Sequence, residues 1–368
     1  MKRYARTHGL VVMGPDCGTA IIGGIPLGFA NVVRRGDIGI VAASGTGLQQ
    51  VTCLIDQLGG GLSQALGTGG HDLHRDVGGI TMLQGLEALA GDAATRVIVL
   101  ISKPPAPEVA AHVLESACNT GKPVVVNFLG ADPKSLTGAG LIPAKTLEDA
   151  ALAAVACATG RHRDGLALAS NPFVPLRQMA GQRCVRGLYS GGTFCYEATM
   201  LLSESLSPVY SNTPVGRAKP LSDVWHSRDH SLIDLGDDVF TRGRPHPMID
   251  HRLRNERLVS EARDPETAVI LLDVVLGHGA HADPASEIAP VISEALARAA
   301  EAGRGLAVVG FVCGTRADPQ NMEQQEAKLR GAGMTLTPSN AQAVRLAAGI
   351  AARREAERMP ATTLAGRA

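Results

Sequence analysis

The sequence has no surplus of either charge. Its 368 residues include 35 Lys+Arg and 35 Asp+Glu, so it has neither a basic field to gather nucleic acid nor a patch suited to an anionic membrane surface. It also lacks long apolar runs: the longest are about six to nine residues, far below the roughly 20 needed to cross a bilayer. Met1-Lys2-Arg3-Tyr4 leads into no signal-peptide core, and the expected location is cytoplasmic. The seven cysteines, Cys17, Cys53, Cys118, Cys157, Cys184, Cys195 and Cys313, never form a C-x-x-C pair. Scattered and odd in number, they favour reduced, mostly buried thiols over a disulfide framework or a zinc site. Asp72-Leu73-His74 does not have the spacing of a metal motif, and no metal is assigned. Three further patterns are missing: a Walker loop, a G-x-G-x-x-G in the strand-to-helix setting, and a G-x-S-x-G elbow. The chain therefore shows no nucleotide site of its own and no hydrolase nucleophile.

What it does contain is an internal repeat. "GDIGIVAASGTGLQQVTCLI" from Gly36 and "CVRGLYSGGTFCYEATMLL" from Cys184 are each a short apolar run, a Ser-Gly turn with a Thr, and a helical pattern. "DAATRVIVLISK" from Asp92 is echoed by "DPETAVILLDVVLGHG" from Asp264, "PVVVNFLGADP" from Pro123 by "GLAVVGFVCGTRADP" from Gly305, and "GAGLIPAKTLEDAALAA" from Gly138 by "GAGMTLTPSNAQAVRLAA" from Gly331. Four matches in one order mean two homologous units. The offset grows from 146 residues (44 to 190) through 172 (92 to 264) to 193 (138 to 331), so the second copy carries an insertion.

Within a unit, uninterrupted Val/Ile-rich runs alternate with Ala/Leu/Glu-rich helical stretches, the signature of a parallel sheet covered on both faces. The expected fold is α/β: two tandem flavodoxin-like, doubly wound parallel-sheet domains. The expected boundaries are 1–165 for the first domain, 166–183 for a linker marked by Asn171-Pro172 and Pro175, 184–355 for the second domain with its insertion at 208–255, and 356–368 for a tail. The insertion holds the single Trp, Trp225, and His226, His230, His246 and His251 in polar sequence. Its shorter counterpart is "ALGTGGHDLHRDVGGI" from Ala65. Both read as loops, where chemistry is placed on a rigid scaffold.

In such sheets ligands bind beyond the carboxyl ends of the strands, where the Ser-Gly turns fall. Ser44-Gly45-Thr46-Gly47 offers backbone N–H groups, hydroxyls and a helix N-terminus, the parts of an anion or phosphate site, and Ser190-Gly191-Gly192-Thr193 repeats it. A single such turn reads as an N-cap. Two copies in a tandem repeat can point both helix ends at one phosphoryl group. In "GGHDLHRD", His71, Asp72, His74 and Arg75 are candidate substrate contacts, against the alternative of a solvated Gly-rich loop; His278 and His281 in "GHGAHAD" stand similarly.

At these residues the chain resembles the succinyl-CoA synthetase superfamily and, within it, the FdrA family of acyl-CoA-synthetase-like proteins. "GPDCGTAIIGGIPLGF", "IGIVAASGTGLQQV" and "GAGLIP" are similar to segments of the ligase α subunit, the second unit is similar to the carboxyl-terminal domain of the β subunit, and "GTGGHDLHRDVGG" favours FdrA. The resemblance runs from about Gly14 to Ala352 and implies an αβ fusion. Two departures stand out. Thr137 occupies the position of the ligase's phosphorylated His, and Gln50 that of its Glu, which the second unit keeps as Glu197. The amino-terminal CoA-binding domain and ATP-grasp sequence are expected to be absent.

The resemblance implies a subunit of an oxamate carbamoyltransferase, the enzyme of oxalurate phosphorolysis in allantoin and purine catabolism. Phosphate, carbamoyl phosphate or another acyl phosphate would be the reactant, and Glu197, His71 and His74 the catalytic candidates. The alternative is an acyl-CoA synthetase acting with separate CoA- or ATP-binding chains. On either reading the partners are a small-molecule substrate and co-encoded enzyme subunits, neither nucleic acid nor membrane is one, and homo-oligomer formation is left open.

Overall fold

The uninterrupted apolar runs become the central strands. In a computed structural model, which describes residues 1–166, 168 and 181–358, the chain forms two units, each built on one seven-stranded sheet. Of the described residues, those up to 168 together with 276–280 and 313–321 form the first unit, and the others form the second. Of the expected linker 166–183, residues 167 and 169–180 lie outside the described residues, as does the tail from residue 359 on.

In the first unit the strands are β1 (Thr19–Ile22), β2 (Ile25–Gly28), β3 (Arg35–Ala43), β4 (Leu62–Gly67), β5 (Val97–Ser102), β6 (Val124–Phe128) and β7 (Leu141–Pro143). Their order is β2-β1-β4-β3-β5-β6-β7. The run β4-β3-β5-β6-β7 is parallel and has the 2-1-3-4-5 order of flavodoxin-like sheets. The β1–β2 hairpin lies antiparallel against β4, an edge that the repeat did not foretell. Every residue of β5 and β6 is buried, as a strand covered by helices on both faces requires. Local signals agree with the tertiary fold. Thr146 and Asp149 form a reciprocal capping box at the head of helix Leu147–Thr159, which stops at Gly160 with φ 68°, the left-handed residue that closes a helix.

The second unit has β8 (Cys184–Tyr189), β9 (Val209–Ser211), β10 (Lys219–Pro220), β11 (His230–Asp234), β12 (Thr267–Val275), β13 (Ala307–Cys313) and β14 (Thr335–Thr337), ordered β10-β9-β11-β8-β12-β13-β14. The insertion 208–255 is therefore more than loop. It contributes three strands, and β11 pairs with β8 as β4 pairs with β3. The polar texture hid this because β11, "HSLID", carries His230, Ser231 and Asp234 on a strand buried at every residue. Among the described residues no helix is long and apolar enough to cross a membrane.

Burying polar groups on central strands requires partners. Arg186 of β8 is 1% exposed and directs Nη2 to Asp264 at 2.7 Å and Nε to within 3.2 Å of Glu261. His230 accepts the Val185 N–H on Nδ1 at 3.2 Å. Burial, reinforced by the charges of Arg183 and Arg186, lowers its pKa to about 4. The native ring stays neutral where the unfolded ring, with a pKa near 6.5, takes up a proton. Its contribution to stability is thus complete above about pH 6.5 and is lost as pH falls toward 4. Between pH 7.5 and 4.5 the wild type should lose roughly 2–3 kcal/mol more in urea unfolding than His230→Asn, which keeps an acceptor for Val185 but does not titrate. The same pH dependence in both proteins would exclude this ring as the source.

Candidate functional site at the carboxyl ends of the strands

Ser44 follows β3 with extended backbone and caps helix Gly45–Gln57, its Oγ accepting the Gly47 N–H at 3.0 Å. Ser44 and Thr46 are each 8% exposed, and Gly45 is open to solvent. The capping role thus accounts for the hydroxyl and for one of the orphan amides at this helix end. Gln50 lies deeper on the same helix, 2% exposed, with Oε1 making no hydrogen bond.

The loop after β4 divides the residues expected to act together. His71 and His74 are exposed and stack edge to face at 4.7 Å between ring centroids, and Arg75 is exposed and pairs with Glu108. Asp72 points the other way. It is buried, and its carboxylate accepts the N–H groups of Thr81 at 3.2 Å and Met82 at 2.8 Å and the Lys2 ammonium at 2.6 Å. Helix Ile80–Gly91 begins after Gly79, which has no side chain to cap it, so Asp72 caps it from outside while also lining the neighbouring cavity. A cavity of about 340 Å³, lined by Lys2, Arg3, Pro15, His71 and Asp76 among others, adjoins this cap.

The second unit treats its serine turn differently. Ser190 donates N–H to Asp273 Oδ1 at 2.8 Å and its hydroxyl to Oδ2 at 2.5 Å, and Gly191 N–H reaches Oδ2 at 3.1 Å. A carboxylate from β12 thus occupies donors that the sequence assigned to an external anion. Arg254 balances it, placing Nη1 at 2.7 Å from the Asp273 carbonyl and 3.2 Å from Oδ1. Both side chains are at most 1% exposed. Arg254 continues to His251 Nδ1 at 3.2 Å, and burial followed by the Arg254 charge lowers the His251 pKa to about 3.

Glycines bring the next groups close. A Cβ on Gly192 would lie 2.5 Å from Asp234 Oδ2, and one on Gly236 would lie 2.8 Å from His246 Nε2 and 3.0 Å from the Ser190 carbonyl. The turns after β8 and β11 therefore meet His246 at one spot. Pro245 and Pro247, on either side of His246, line a cavity of about 280 Å³ with Leu235, Phe240, Arg244 and Arg252. Thr193, 4% exposed, is in the first helical turn beyond. Glu197, the expected base, is fully buried and accepts from Asn340 Nδ2 at 2.8 Å. That places its carboxylate between helices Gly192–Ser205 and Asn340–Arg358, where it serves their packing. All seven cysteines are free, four of them buried, and burial drives the Cys195 thiol up to about 12, as inert thiols require.

Asp273, Arg254, Asp234 and His246 were missed as site residues. Asp273 had a readable signal, being a lone carboxylate inside the apolar run "TAVILLDVVLG". His246 was marked only as one of the histidines of the polar insertion, and Arg254 and Asp234 carried no signal, since only the tertiary fold brings them to the turn.

With this geometry in view, family profiles place the molecule. A CoA-ligase profile matches residues 188–350, and a CoA binding domain profile matches residues 33–130. The chain belongs to this succinyl-CoA-synthetase-like family of CoA ligases. It shares the family with "Uncharacterized protein YahF" of Escherichia coli (strain K12), to which it is 46% identical over 345 residues, covering 92% of this chain and 67% of that protein. The CoA binding domain match falls on the first unit itself, so the expectation that such a domain is absent is not sustained. Among solved structures, the dinucleotide-forming acetyl-coenzyme A synthetase 1 of Ca. Korarchaeum cryptofilum, in complex with phosphate and ADP, is 15% identical, with 96% of this chain and 73% of that one covered and a TM-score of 0.35. PH0766 from Pyrococcus horikoshii OT3 is 14% identical, with 97% and 74% covered and a TM-score of 0.32. Likeness this low extends to neither mechanism nor ligand.

The Asp273–Arg254 pair can be tested by stability. Asp273→Asn leaves a buried guanidinium uncompensated and should cost about 3–5 kcal/mol in denaturant unfolding, and the double variant Asp273→Asn/Arg254→Met should recover a large part of it. A single-variant cost below about 1 kcal/mol would mean that the pair does not hold the turn.

Proposed function

We propose that this chain is the acyl-handling part of an acyl-CoA synthetase, converting a small carboxylate, CoA and ATP to the acyl-CoA, ADP and phosphate through an acyl phosphate. The observation that carries the reading is the pair of family matches, CoA binding domain then CoA ligase, laid in order over the two units. The Ser44–Gly47 turn is the proposed phosphoryl site, because the leading amides of helix Gly45–Gln57 and its dipole favour an anion there. His71, His74 and Arg75 are proposed substrate contacts. ATP is assigned to co-encoded subunits, since no Walker loop occurs in the sequence, and the complex is placed in the cytoplasm.

One observation favours a second reading. Thr137, exposed on the loop before β7, stands where the ligases carry their phosphorylated His, and a hydroxyl cannot replace that imidazole. A subunit that passes phosphate directly fits oxamate carbamoyltransfer within the FdrA branch, in which oxalurate and phosphate give oxamate and carbamoyl phosphate.

Reconstitution with the co-encoded chains separates the two. Thioester formation that requires CoA and ATP is expected; oxalurate made from oxamate and carbamoyl phosphate without CoA selects the second reading, and turnover in neither assay sinks both. In the active complex, Ser44→Ala removes the cap that holds the Gly47 N–H and should lower turnover by disordering the leading amides, while Cys195→Ala, a buried thiol, should matter through packing alone. Incubation with γ-labelled ATP should leave no acid-labile label on this chain.

A further inference from the structure

Three residues from separate parts of the second unit converge on one point. His251 heads helix Arg252–Arg263, His281 follows β12, and Glu287 lies in the first turn of helix Pro284–Glu301. Each offers one donor atom, and the three atoms lie within 4.8 Å of one another. The imidazole centroids are 5.4 Å apart, tilted by 58°, and His281 Nε2 is 3.3 Å from Glu287 Oε1. His251 is 2% exposed, yet its Nε2 makes no hydrogen bond. Buried polar atoms ordinarily have a partner, so this nitrogen, beside a second imidazole and a carboxylate, points to a ligand.

Two imidazoles and one carboxylate are the donor set of a three-ligand transition-metal site with open positions. We propose that His251, His281 and Glu287 bind one divalent transition-metal ion of the zinc class. Glu287 is exposed and His281 half-buried, which leaves an entry path and room for exogenous ligands. Asp250 and Arg252, the neighbours of His251 in sequence, line the 280 Å³ cavity, so the ion sits beside the space next to His246. Arg254 lies between His251 and Asp273, next to the Ser190 turn; its guanidinium only donates, so it must give up His251 Nδ1 when that ring coordinates through Nε2 and carries its proton on Nδ1. Ligation has an identifiable cost. His281 Nδ1 accepts the Asp283 N–H at 3.1 Å, and a ring that coordinates through Nε2 carries its proton on Nδ1, so that amide bond must give way. The inference goes beyond the proposed function and does not depend on it, because its readout is binding.

The full-length chain, stripped with chelator, would be titrated with Zn²⁺ in competition with a chromophoric chelator and separately with Co²⁺. The wild type should take up one Zn²⁺ per chain that His281→Gln and Glu287→Gln each weaken by about tenfold or more, and the Co²⁺ spectrum should show nitrogen and oxygen ligation with no thiolate band. Glu287→Gln changes an exposed side chain and so tests the site even if His281→Gln folds poorly. Unchanged affinity in Glu287→Gln, a thiolate band, or no uptake by the wild type would overturn the proposal.

Discussion

The second unit is organised around one buried carboxylate. Asp273 sits in the middle of an apolar strand, where an unpaired charge would be untenable, and it is held by the Ser190 and Gly191 amides, the Ser190 hydroxyl and Arg254. Removing any of these would leave a charge or a donor stranded in the interior, so they fix one another: the strand fixes the turn, the turn fixes the start of the helix, and Arg254 fixes the His251 end of another helix. The first unit solves a similar problem with Asp72, which caps helix Ile80–Gly91 and is neutralised by Lys2. In the second unit the arrangement around Asp273 puts a protein carboxylate where an anion-binding reading of the sequence had put a ligand.

The two halves of the repeat therefore share architecture but not site chemistry. In the first unit the carboxylate serves a neighbouring helix, and the Ser44 turn keeps its exposed Gly45. In the second, the carboxylate takes the serine turn itself, while the insertion adds β9 to β11 and brings Asp234 and His246 alongside it. A duplicated scaffold in which one anion site is internally filled suits a division of labour, with phosphoryl chemistry at Ser44 and other groups at the second turn. This asymmetry supports an acyl-transfer reading that does not need two equivalent phosphate loops.

The fold was legible because it rests on period and repetition. "RVIVLIS" and "PVVVNFLG" could only be strands buried on both faces, and the echoed Ser-Gly turns marked the strand ends. The β1–β2 hairpin and β11 escaped notice because short strands with exposed or polar residues lack that signal. The candidate site was legible only where it is local: Ser44 and Ser190 stand at the turns expected of them. The surroundings of Asp72 and Glu197 were not legible because residue type does not show which way a side chain points; one caps a helix and the other accepts from Asn340. His251, His281 and Glu287, 30 positions and more from first to last in the sequence (251 to 287), form a group only after folding.

Asp273 occupies the donors of the Ser190 turn, whereas Gly45 of the Ser44 turn is exposed, so an external anion should reach only the latter. Amide chemical shifts of ¹⁵N-labelled protein titrated with inorganic phosphate test it directly. Saturable shifts at Gly45 and Thr46, with Ser190 and Gly191 unmoved, are the predicted result. Saturable shifts at Ser190 and Gly191, with Gly45 and Thr46 unmoved, would contradict it.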